Sequence, residues 1–329
     1  MAVMLGYDRL QGAIDTPAAI DLLERTLAHE AAGRTAVSPK YVTEFGTGAM
    51  RMLVAADHEA GYFATKAYHT TAGVGTRYVV SLYRLADGEL LALIDGQLIT
   101  DLRTGAASGV VARKVKLEGA VTLGLVGSGH QAAMQLASLA SVYRFAHVDV
   151  YSPTPANRIA FAAGMSRKLG IEVRPVDSSE AAVRGKTVVA TASGSRSAEP
   201  VVRGAWLDDC RLLCAVGNTR PFARETDRDC FRTSRFLVVD STHALEEAGE
   251  LIDAVAAGLV TPANHATLAD VACGKVTLPT AGRITFKSVG TALQDLALAS
   301  RYYELLGDAA SSGDPGLACL RRPVHEKFA

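Results

Sequence analysis

The residues best suited to chemistry in this chain form a glycine-rich turn. Gly127-x-Gly129-x-x-Ala132 follows the apolar run Val121–Val126 and opens a helical segment. Gly127 permits a tight turn, Gly129 lets the backbone approach a pyrophosphate, and Ala132 lets the helix pack closely. The flanking strand and helix favour dinucleotide binding over an ordinary βα turn, because a helix N-terminus attracts phosphate. We expect the remaining turn residues to contribute to pyrophosphate binding: Ser128, His130 and Gln131.

The end of the second strand of this region bears on the choice between NAD and NADP. In NAD-binding folds an acidic residue there binds the ribose hydroxyls. Ser152 occupies that end, whereas Asp149 lies inside the strand, where a solvated or capping carboxylate fits better. Ser152 and Thr154 can donate hydrogen bonds, and Arg158 can supply positive charge. NADP is therefore favoured and NAD stays possible, because no arginine directly follows Ser152.

Alternating apolar and helical segments fill the chain from residue 121 onward. Short apolar strands separated by helices predict a parallel sheet covered on both faces, as in a doubly wound Rossmann-type α/β domain. The predicted strands are 121–126, 147–151, 172–175, 187–190, 212–216 and 236–240, with helices such as 132–142 and 156–169 between them.

Two helices are predicted outside this region. Thr16 is a plausible N-cap, with Pro17 at the first helical position, for a helix that reaches about Ala32. A final helix is predicted over about 291–306. We expect the small polar stretch 307–315 and the tail after it to be mobile or loosely docked.

A β-hairpin is predicted before the glycine-rich turn. Residues 78–85 and 90–94 are strand-like, and Asp87-Gly88 between them is typical of a hairpin turn. Asp95-Gly96 predicts a second turn, before residues 97–100.

The composition narrows the class of protein. The chain has 329 residues, in which 34 basic and 34 acidic side chains cancel, so charge gives no reason to expect nucleic acid or an anionic membrane as partner. No apolar run approaches the roughly 20 residues of a membrane span, and the N-terminus lacks a secretory signal pattern. An odd number of cysteines without a C-x-x-C pair favours buried free thiols in the reducing cytoplasm and no metal site: Cys210, Cys214, Cys230, Cys273 and Cys319.

Four ordered motifs resemble the ornithine cyclodeaminase/mu-crystallin family. Ala64-Thr65-Lys66 is similar to the segment that holds the family's active-site lysine. Residues 95–106 resemble its D-G-x-x-[LI]-T-x-x-R-T-x-A signature, and residues 127–132 its G-x-G-x-Q-A turn. Lys287-Ser288-Val289-Gly290 with Asp295 is similar to its S-x-G-x-A-x-x-D element near the nicotinamide. The resemblance extends from about Ser38 to Leu306.

The resemblance implies a discontinuous domain organisation. A substrate-binding and dimerisation domain of α+β type would comprise residues 1–117 and 296–329, with the Rossmann domain, 118–295, inserted between them. It also implies a homodimer formed through the first domain. The implied substrate is a small α-imino or α-amino acid bound in the cleft between the domains.

The resemblance also implies roles for single residues. Arg103 would bind the substrate carboxylate through its guanidinium fork, and Lys66 would act on the imine nitrogen or the carboxylate as proton donor or electrostatic partner. The alternatives without a role in catalysis are a structural ion pair for Arg103 and a position at a strand edge for Lys66. Lys40 stands where many members carry an arginine for the carboxylate, and Asp295 would lie near the nicotinamide or be an exposed helix residue. His69 is a weaker candidate for a second proton donor.

One departure separates branches of the family. Cyclodeaminases and the related alanine dehydrogenases hold a catalytic aspartate in a G-x-D-x-P context, where this chain has Thr219 followed by Arg-Pro. A small hydroxyl residue there resembles the ketimine reductases. We therefore expect NADPH-dependent reduction of an α-imino acid. The alternatives are ornithine cyclodeaminase, an alanine-dehydrogenase-like enzyme, and a non-catalytic ligand-binding protein.

Overall fold

The chain divides into two compact units in a computed structural model that describes residues 2–46, 48–71 and 73–307. The described part of the first unit comprises residues 2–103 and 290–307, and the second comprises 104–289. These boundaries precede the expected breaks after 117 and 295. Gln135 Nε2 donates to Thr104 O at 3.0 Å, which ties the first residue of the second unit to that unit. Cys319 and nearly all of the expected tail lie outside the described residues.

Six consecutive strands follow the first two helices of the first unit, whereas strands and helices mostly alternate in the second unit. From the N-terminus to the middle of the chain they are β1 (Val3–Leu5), α1 (Tyr7–Leu10), α2 (Thr16–Ala31), β2 (Thr35–Val37), β3 (Tyr41–Phe45), β4 (Gly48–Asp57), β5 (Tyr62–Thr71), β6 (Gly75–Arg84), β7 (Leu90–Asp95), α3 (Gly96–Lys114), β8 (Val121–Val126), α4 (His130–Val142), β9 (Phe145–Tyr151) and α5 (Pro155–Leu169). They continue as β10 (Val173–Pro175), α6 (Ser179–Val183), β11 (Val188–Thr191), the 3-10 helix Gly204–Trp206, β12 (Leu212–Ala215), α7 (Arg228–Arg232), β13 (Ser234–Val239), α8 (Ala244–Glu247), α9 (Gly249–Ala256), β14 (His265–Thr267), α10 (Leu268–Ala272), β15 (Arg283–Lys287) and α11 (Ala292–Leu306).

The first unit is built on a seven-stranded sheet. Its order is β1-β7-β6-β5-β4-β2, with β3 also paired to β4, and only the β1–β7 pair is parallel. Helices α2 and α11 pack together, and α11 packs on β4 and β5. Leu53 and its cross-strand partner Lys66 point to this helical side and are buried. The opposite side carries exposed apolar residues, among them Tyr41, Met50 and Met52.

The structure tests the local predictions for this unit. The predicted hairpin forms as β6 and β7, with Gly88 at φ 73° in its turn. Helix α2 forms, but Asp15 rather than Thr16 caps it, by accepting from Ala18 N at 2.8 Å. The predicted turn at Asp95-Gly96 is wrong, because α3 begins there. The Asp95 carboxylate accepts from Gln97 N at 2.9 Å and so satisfies a free N–H of the first helical turn.

The second unit is an eight-stranded parallel sheet in the order β10-β9-β8-β11-β12-β15-β13-β14. All six predicted strands are present, and the order reverses between β8 and β11, where doubly wound folds bind ligands beyond the carboxyl ends of their strands. Strands β14 and β15 were not predicted from the sequence. Strand β15 lies between β12 and β13, so the fifth and sixth predicted strands are not neighbours.

Burial makes three of the described cysteines unreactive. Cys210, Cys214 and Cys230 are buried free thiols, as expected, and burial raises the pKa of the first two to about 12. Cys273 is exposed, contrary to expectation. Within the described part of the chain, no helix has both the length and the apolar character of a membrane span.

Candidate active site

Lys66 lies at the centre of the first unit's sheet. Strand β5, which carries it, is paired on both sides, and the residue is only 2% exposed, so it is not a lysine at a strand edge. Its Nζ donates to Thr100 Oγ1 and to Asp295 Oδ1, each at 2.7 Å. Thr100 lies on α3 and Asp295 on α11, so three elements that are distant in sequence meet at this ammonium group.

The surroundings of Lys66 bring its proton affinity close to neutral pH. Burial lowers the pKa of Lys66 to about 8; the Asp295 carboxylate opposes this shift, while the positive charges of Arg103 and Lys40 add to it. Its Nζ also lies 5.1 Å from the ring centroid of Tyr78. A lysine in this state is mostly protonated at pH 7 and can release its proton readily.

Arg103 lies one helical turn beyond Thr100 on α3, beside the same carboxylate. Its Nε donates to Asp295 Oδ1 at 3.2 Å, and its Nη1 donates to Gln294 Oε1 at 3.2 Å. A side chain at position 290 would collide with the guanidinium, because a Cβ there would lie 2.3 Å from Nη1. Gly290, with φ 82°, therefore leaves room for the group. Within residues 2–46, 48–71 and 73–307, Nη2 has no hydrogen-bond partner.

The charges of this cluster favour an anionic ligand. Lys66 and Arg103 carry two positive charges against the single carboxylate of Asp295, and all three residues are buried. Burial strengthens the attraction that these charges exert on a bound carboxylate. The family resemblance implies a place for Asp295 beside the nicotinamide, and no motif indicated Gln294. In the structure, Asp295 links Lys66 to Arg103; its contact with a nicotinamide stays a prediction.

Two other candidates differ in how close they lie. Lys40 is half-buried in the segment before β3, and its charge lowers the pKa of Lys66; its contact with a substrate carboxylate stays a prediction. His69 is three residues beyond Lys66 on β5, and successive side chains of a strand alternate between faces. It therefore lies on the opposite face, is exposed, and is a poor candidate for a second proton donor.

The glycine-rich turn of the second unit has the geometry that a pyrophosphate requires. Gly127 adopts φ 128°, and a Cβ there would lie 2.3 Å from Ala192 O, so only glycine fits. Gly129 precedes α4, and a Cβ there would meet no atom within 4 Å, which leaves open space at the helix N-terminus. His130 and Gln131 form the first turn of α4, and Ala132 is buried. These residues fit a bound dinucleotide.

The residues proposed for the adenosine ribose also lie together. Ser128 Oγ donates to Ser152 Oγ at 2.8 Å, which joins the glycine turn to the end of β9. Arg158 Nη1 donates to Ser152 O at 3.1 Å, and its Nη2 to Asp177 Oδ1 at 2.7 Å. Thr154 is exposed at the start of α5, and its side chain makes no capping hydrogen bond.

Asp149 differs from the expectation of a solvated or capping carboxylate. It is 5% exposed and pairs with Arg174 Nε and Lys186 Nζ, each at 2.7 Å. Burial raises the pKa of Asp149, but the hydrogen bonds and charges of these two cations outweigh burial and lower it. The residue is therefore a paired structural carboxylate within the parallel sheet.

A buried network that the sequence analysis missed anchors the loop of Thr219. Thr219 is half-buried in the loop after β12. Lys287 Nζ donates to the carbonyl of Asn218 at 2.7 Å and pairs with Glu250 at 2.9 Å. Asn218 Nδ2 donates to Glu250 Oε2 at 2.5 Å, and both charged side chains are fully buried. Only the motif containing Lys287 signalled this cluster, because Glu250 lies far away in sequence.

The comparison with known proteins settles the family. The sequence profile described as the ornithine cyclodeaminase/mu-crystallin family matches residues 2–309. The chain belongs to this family. It is 31% identical to the ketimine reductase mu-crystallin of Mus musculus over 235 residues, which cover 71% of this chain and 70% of that protein.

Solved structures of family members share the fold. The Thermococcus litoralis Delta(1)-pyrroline-2-carboxylate reductase, in complex with NADH and L-proline, matches with a TM-score of 0.88 and 29% identity over 93% of this chain and 98% of that one. An archaeal alanine dehydrogenase dimer with bound NAD matches with a TM-score of 0.86 and 26% identity over 94% and 97% of the two chains. The α/β Rossmann-type fold expected from the sequence is thus confirmed.

Proposed function

We propose that this protein is an NAD(P)H-dependent reductase of the C=N bond of a cyclic or open-chain α-imino acid. The carrying observation is the buried Lys66–Asp295–Arg103 cluster, in which a lysine with a pKa of about 8 lies beside a guanidinium. Relatives support this assignment, since they include a ketimine reductase and a Delta(1)-pyrroline-2-carboxylate reductase. The product would be the corresponding α-amino acid.

Arg103 would fix the substrate carboxylate. Its Nε and Nη1 are held by Asp295 and Gln294, so the guanidinium is oriented before substrate arrives. A planar fork in a fixed position binds a carboxylate through two parallel hydrogen bonds. Lys40 would add charge to the same site without that directionality. One face of the imine would thereby be selected.

Lys66 would supply the proton that the imine nitrogen needs. A protonated imine is a much better electrophile, and an ammonium with a pKa of about 8 is charged at neutral pH and transfers its proton readily. Asp295 would hold Lys66 in position and keep part of its proton affinity. After transfer, the neutral amine would regain its proton from solvent.

The second unit would hold the cofactor. When bound, the nicotinamide cofactor supplies the hydride that reduces the imine carbon. The turn of Gly127 and Gly129 would bind its pyrophosphate, together with Ser128, His130 and Gln131. We propose NADP as the preferred form, because Ser152, Thr154 and Arg158 offer hydroxyl groups and a positive charge where an NAD-binding fold carries an acid.

Thr219 favours the reductase over the cyclodeaminase and alanine dehydrogenase alternatives. A hydroxyl cannot deprotonate an amine at neutral pH. Thr219 can hydrogen-bond substrate or position water. The retained Lys66 and Arg103 also argue against a ligand-binding protein without activity.

A substrate panel tests the proposal. NADPH and NADH oxidation would be followed at neutral pH with a five-membered cyclic imino acid, a six-membered one, and pyruvate with methylamine. L-ornithine with NAD would be assayed in parallel for ammonia. We expect one imine to consume NADPH rapidly. Ammonia from ornithine with all imines silent would instead establish the cyclodeaminase.

A matched pair of variants ties the activity to the site. Lys66→Met should abolish reduction, because it removes the proton donor while keeping an unbranched side chain only one atom shorter. Lys168→Met makes the same replacement at an exposed position of α5 and should leave the activity unchanged. Equal activity in both variants would remove Lys66 from the mechanism.

We also propose a homodimer in which a second copy covers the exposed sheet face of the first unit. The large apolar residues on this face are 41% to 59% exposed: Tyr41, Phe45, Met50 and Met52. Contiguous exposed apolar patches mark interaction sites, and the related archaeal alanine dehydrogenase is described as a dimer. Met52→Lys should yield monomers in sedimentation equilibrium. Ile159→Lys, at a 56% exposed position of α5, should leave the dimer intact. A Met52→Lys protein that stays dimeric would place the interface elsewhere.

A further inference from the structure

Arg158 is held in one orientation at the carboxyl end of β9. The residue is 9% exposed, its Nη1 donates to Ser152 O at 3.1 Å, and its guanidinium lies 5.7 Å from the ring centroid of Tyr151. A backbone carbonyl and an aromatic ring therefore fix the plane of the fork. The remaining strong contact of this guanidinium is to Asp177, on the loop after β10.

Asp177 differs from the other carboxylate that pairs with cations in this region. Its side chain is fully exposed, although Oδ1 lies 2.7 Å from Arg158 Nη2. Asp149, by contrast, is buried between Arg174 and Lys186. Water competes with Arg158 for the fully exposed Asp177 carboxylate, so Asp177 can leave the guanidinium at small cost. Asp149 cannot leave its partners without a buried charge being exposed or unpaired.

We propose that Asp177 is a built-in competitor for the 2′-phosphate of NADPH. Without nucleotide it occupies Nη2 of Arg158, and the 2′-phosphate displaces it from that atom. The inference rests on the NADP preference proposed above and adds a specificity-determining residue to it. Asp177 lowers the affinity for NADPH, because its charge must be moved and then lies near the phosphate. NADH lacks the 2′-phosphate that would compete with Asp177 for Nη2, so we expect Asp177 to leave its affinity unchanged.

The test is a direct measurement of nucleotide affinity. Dissociation constants for NADPH and NADH would be measured from nucleotide fluorescence with the full-length protein and with Asp177→Asn. We expect NADPH to bind roughly two- to fivefold more tightly to Asp177→Asn, which is the size of one exposed ion pair, and NADH to bind unchanged. Unchanged NADPH affinity, or equal tightening of both nucleotides, would overturn the proposal.

Two further variants separate this inference from the cofactor preference itself. Asp229→Asn removes another exposed partner of an arginine in the same unit and should change neither constant. Arg158→Gln should weaken the binding of NADPH but not that of NADH. In the Arg158→Gln background, Asp177→Asn should change the NADPH affinity less than it does in the wild-type protein. If Arg158→Gln weakens NADPH binding while Asp177→Asn leaves it unchanged, the competitor role of Asp177 is refuted and the NADP preference stands. If the wild-type protein prefers NADH and Arg158→Gln affects neither nucleotide, the NADP preference fails as well.

Discussion

Lys66 combines deep burial with a charge that the proposed chemistry needs. Its pKa of about 8 places the loss of that charge just above neutral pH. Imine reduction needs the protonated form, so kcat/KM should fall as pH rises through about 8. Initial rates measured between pH 6 and pH 10, with NADPH saturating, would show this fall in kcat/KM. A flat profile across this range would mean that another group donates the proton.

Asp295 should set the pH at which kcat/KM falls. Its charge and its hydrogen bond raise the pKa of Lys66 against the effect of burial. In Asp295→Asn the charge of residue 295 is lost and its hydrogen bond to Lys66 is lost or weakened. The pKa of Lys66 therefore falls, and kcat/KM declines at a lower pH. The same pH–rate measurement detects the shift. If kcat/KM falls at the same pH or at a higher pH in Asp295→Asn, the observed ionisation is not that of Lys66.

Arg103 should contribute through geometry as well as charge. Arg103→Lys keeps the charge but cannot contact Asp295 and Gln294 while holding a carboxylate through two bonds. The KM for the imino acid should rise roughly 10- to 100-fold, the size of one charge-assisted hydrogen bond. Nucleotide affinity, measured by fluorescence, should be unchanged. An unchanged KM would assign the substrate carboxylate to another group.

At the scale of elements, β15 places a charge beneath the loop of Thr219. Lys287 at its end pairs with Glu250 in α9, and both are fully buried. Lys287→Met or Glu250→Met alone should cost roughly 3–5 kcal/mol in urea unfolding, because each leaves one buried charge unpaired. The double variant should recover most of that stability but lose kcat, since the carbonyl of Asn218 is no longer held.

The surface pair Arg232–Asp229 provides the control for this cycle. Both side chains are about half exposed, so Arg232→Met should cost at most ~1 kcal/mol. Costs that simply add in the Lys287→Met/Glu250→Met protein would show that the two charges do not depend on each other.

Elements with local signals were predictable from the sequence. The glycine turn after β8 and the hairpin at Gly88 follow from turn residues beside apolar runs. Strand β15 was not predicted, because its five residues are buried throughout and lack a periodicity that separates strand from helix. Its place between β12 and β13 depends on pairings that no local signal encodes.

The candidate site was predictable only in part, for the same reason. Lys66 and Arg103 were found through motifs, but the link between them is Asp295, which is 229 residues beyond Lys66 in sequence. Asp149 looked solvated because its partners are distant in sequence: Arg174 lies on β10 and Lys186 in the loop before β11. Charge pairing across a fold is a tertiary property, which spacing along the chain does not reveal.

At the scale of the whole molecule, the buried charge of Lys66 should reduce stability at neutral pH. Its pKa is 10.5 in the unfolded reference and about 8 in the folded protein, so between these values the unfolded chain binds more protons. The free energy of unfolding therefore rises with pH between about 8 and 10.5. The stability gained in this range is absent below about pH 8. Lys66→Met lacks this dependence, so the difference between the two proteins isolates it from other ionisations.

The wild-type free energy of unfolding should thus increase relative to that of Lys66→Met by roughly 1–2 kcal/mol between pH 8 and pH 9.5, at about 1.36 kcal/mol per pKa unit and with Lys66 already half deprotonated at pH 8. The side chain is 3% exposed, so solvent screening does not reduce the effect appreciably. Urea unfolding at matched ionic strength would measure it, with Lys168→Met as the exposed-lysine control that stays parallel to wild type. A constant difference between wild type and Lys66→Met would mean that Lys66 keeps its ordinary pKa. The fall in kcat/KM near pH 8 would then also have to come from another group. The stability measurement and the pH–rate profile therefore check the same ionisation independently.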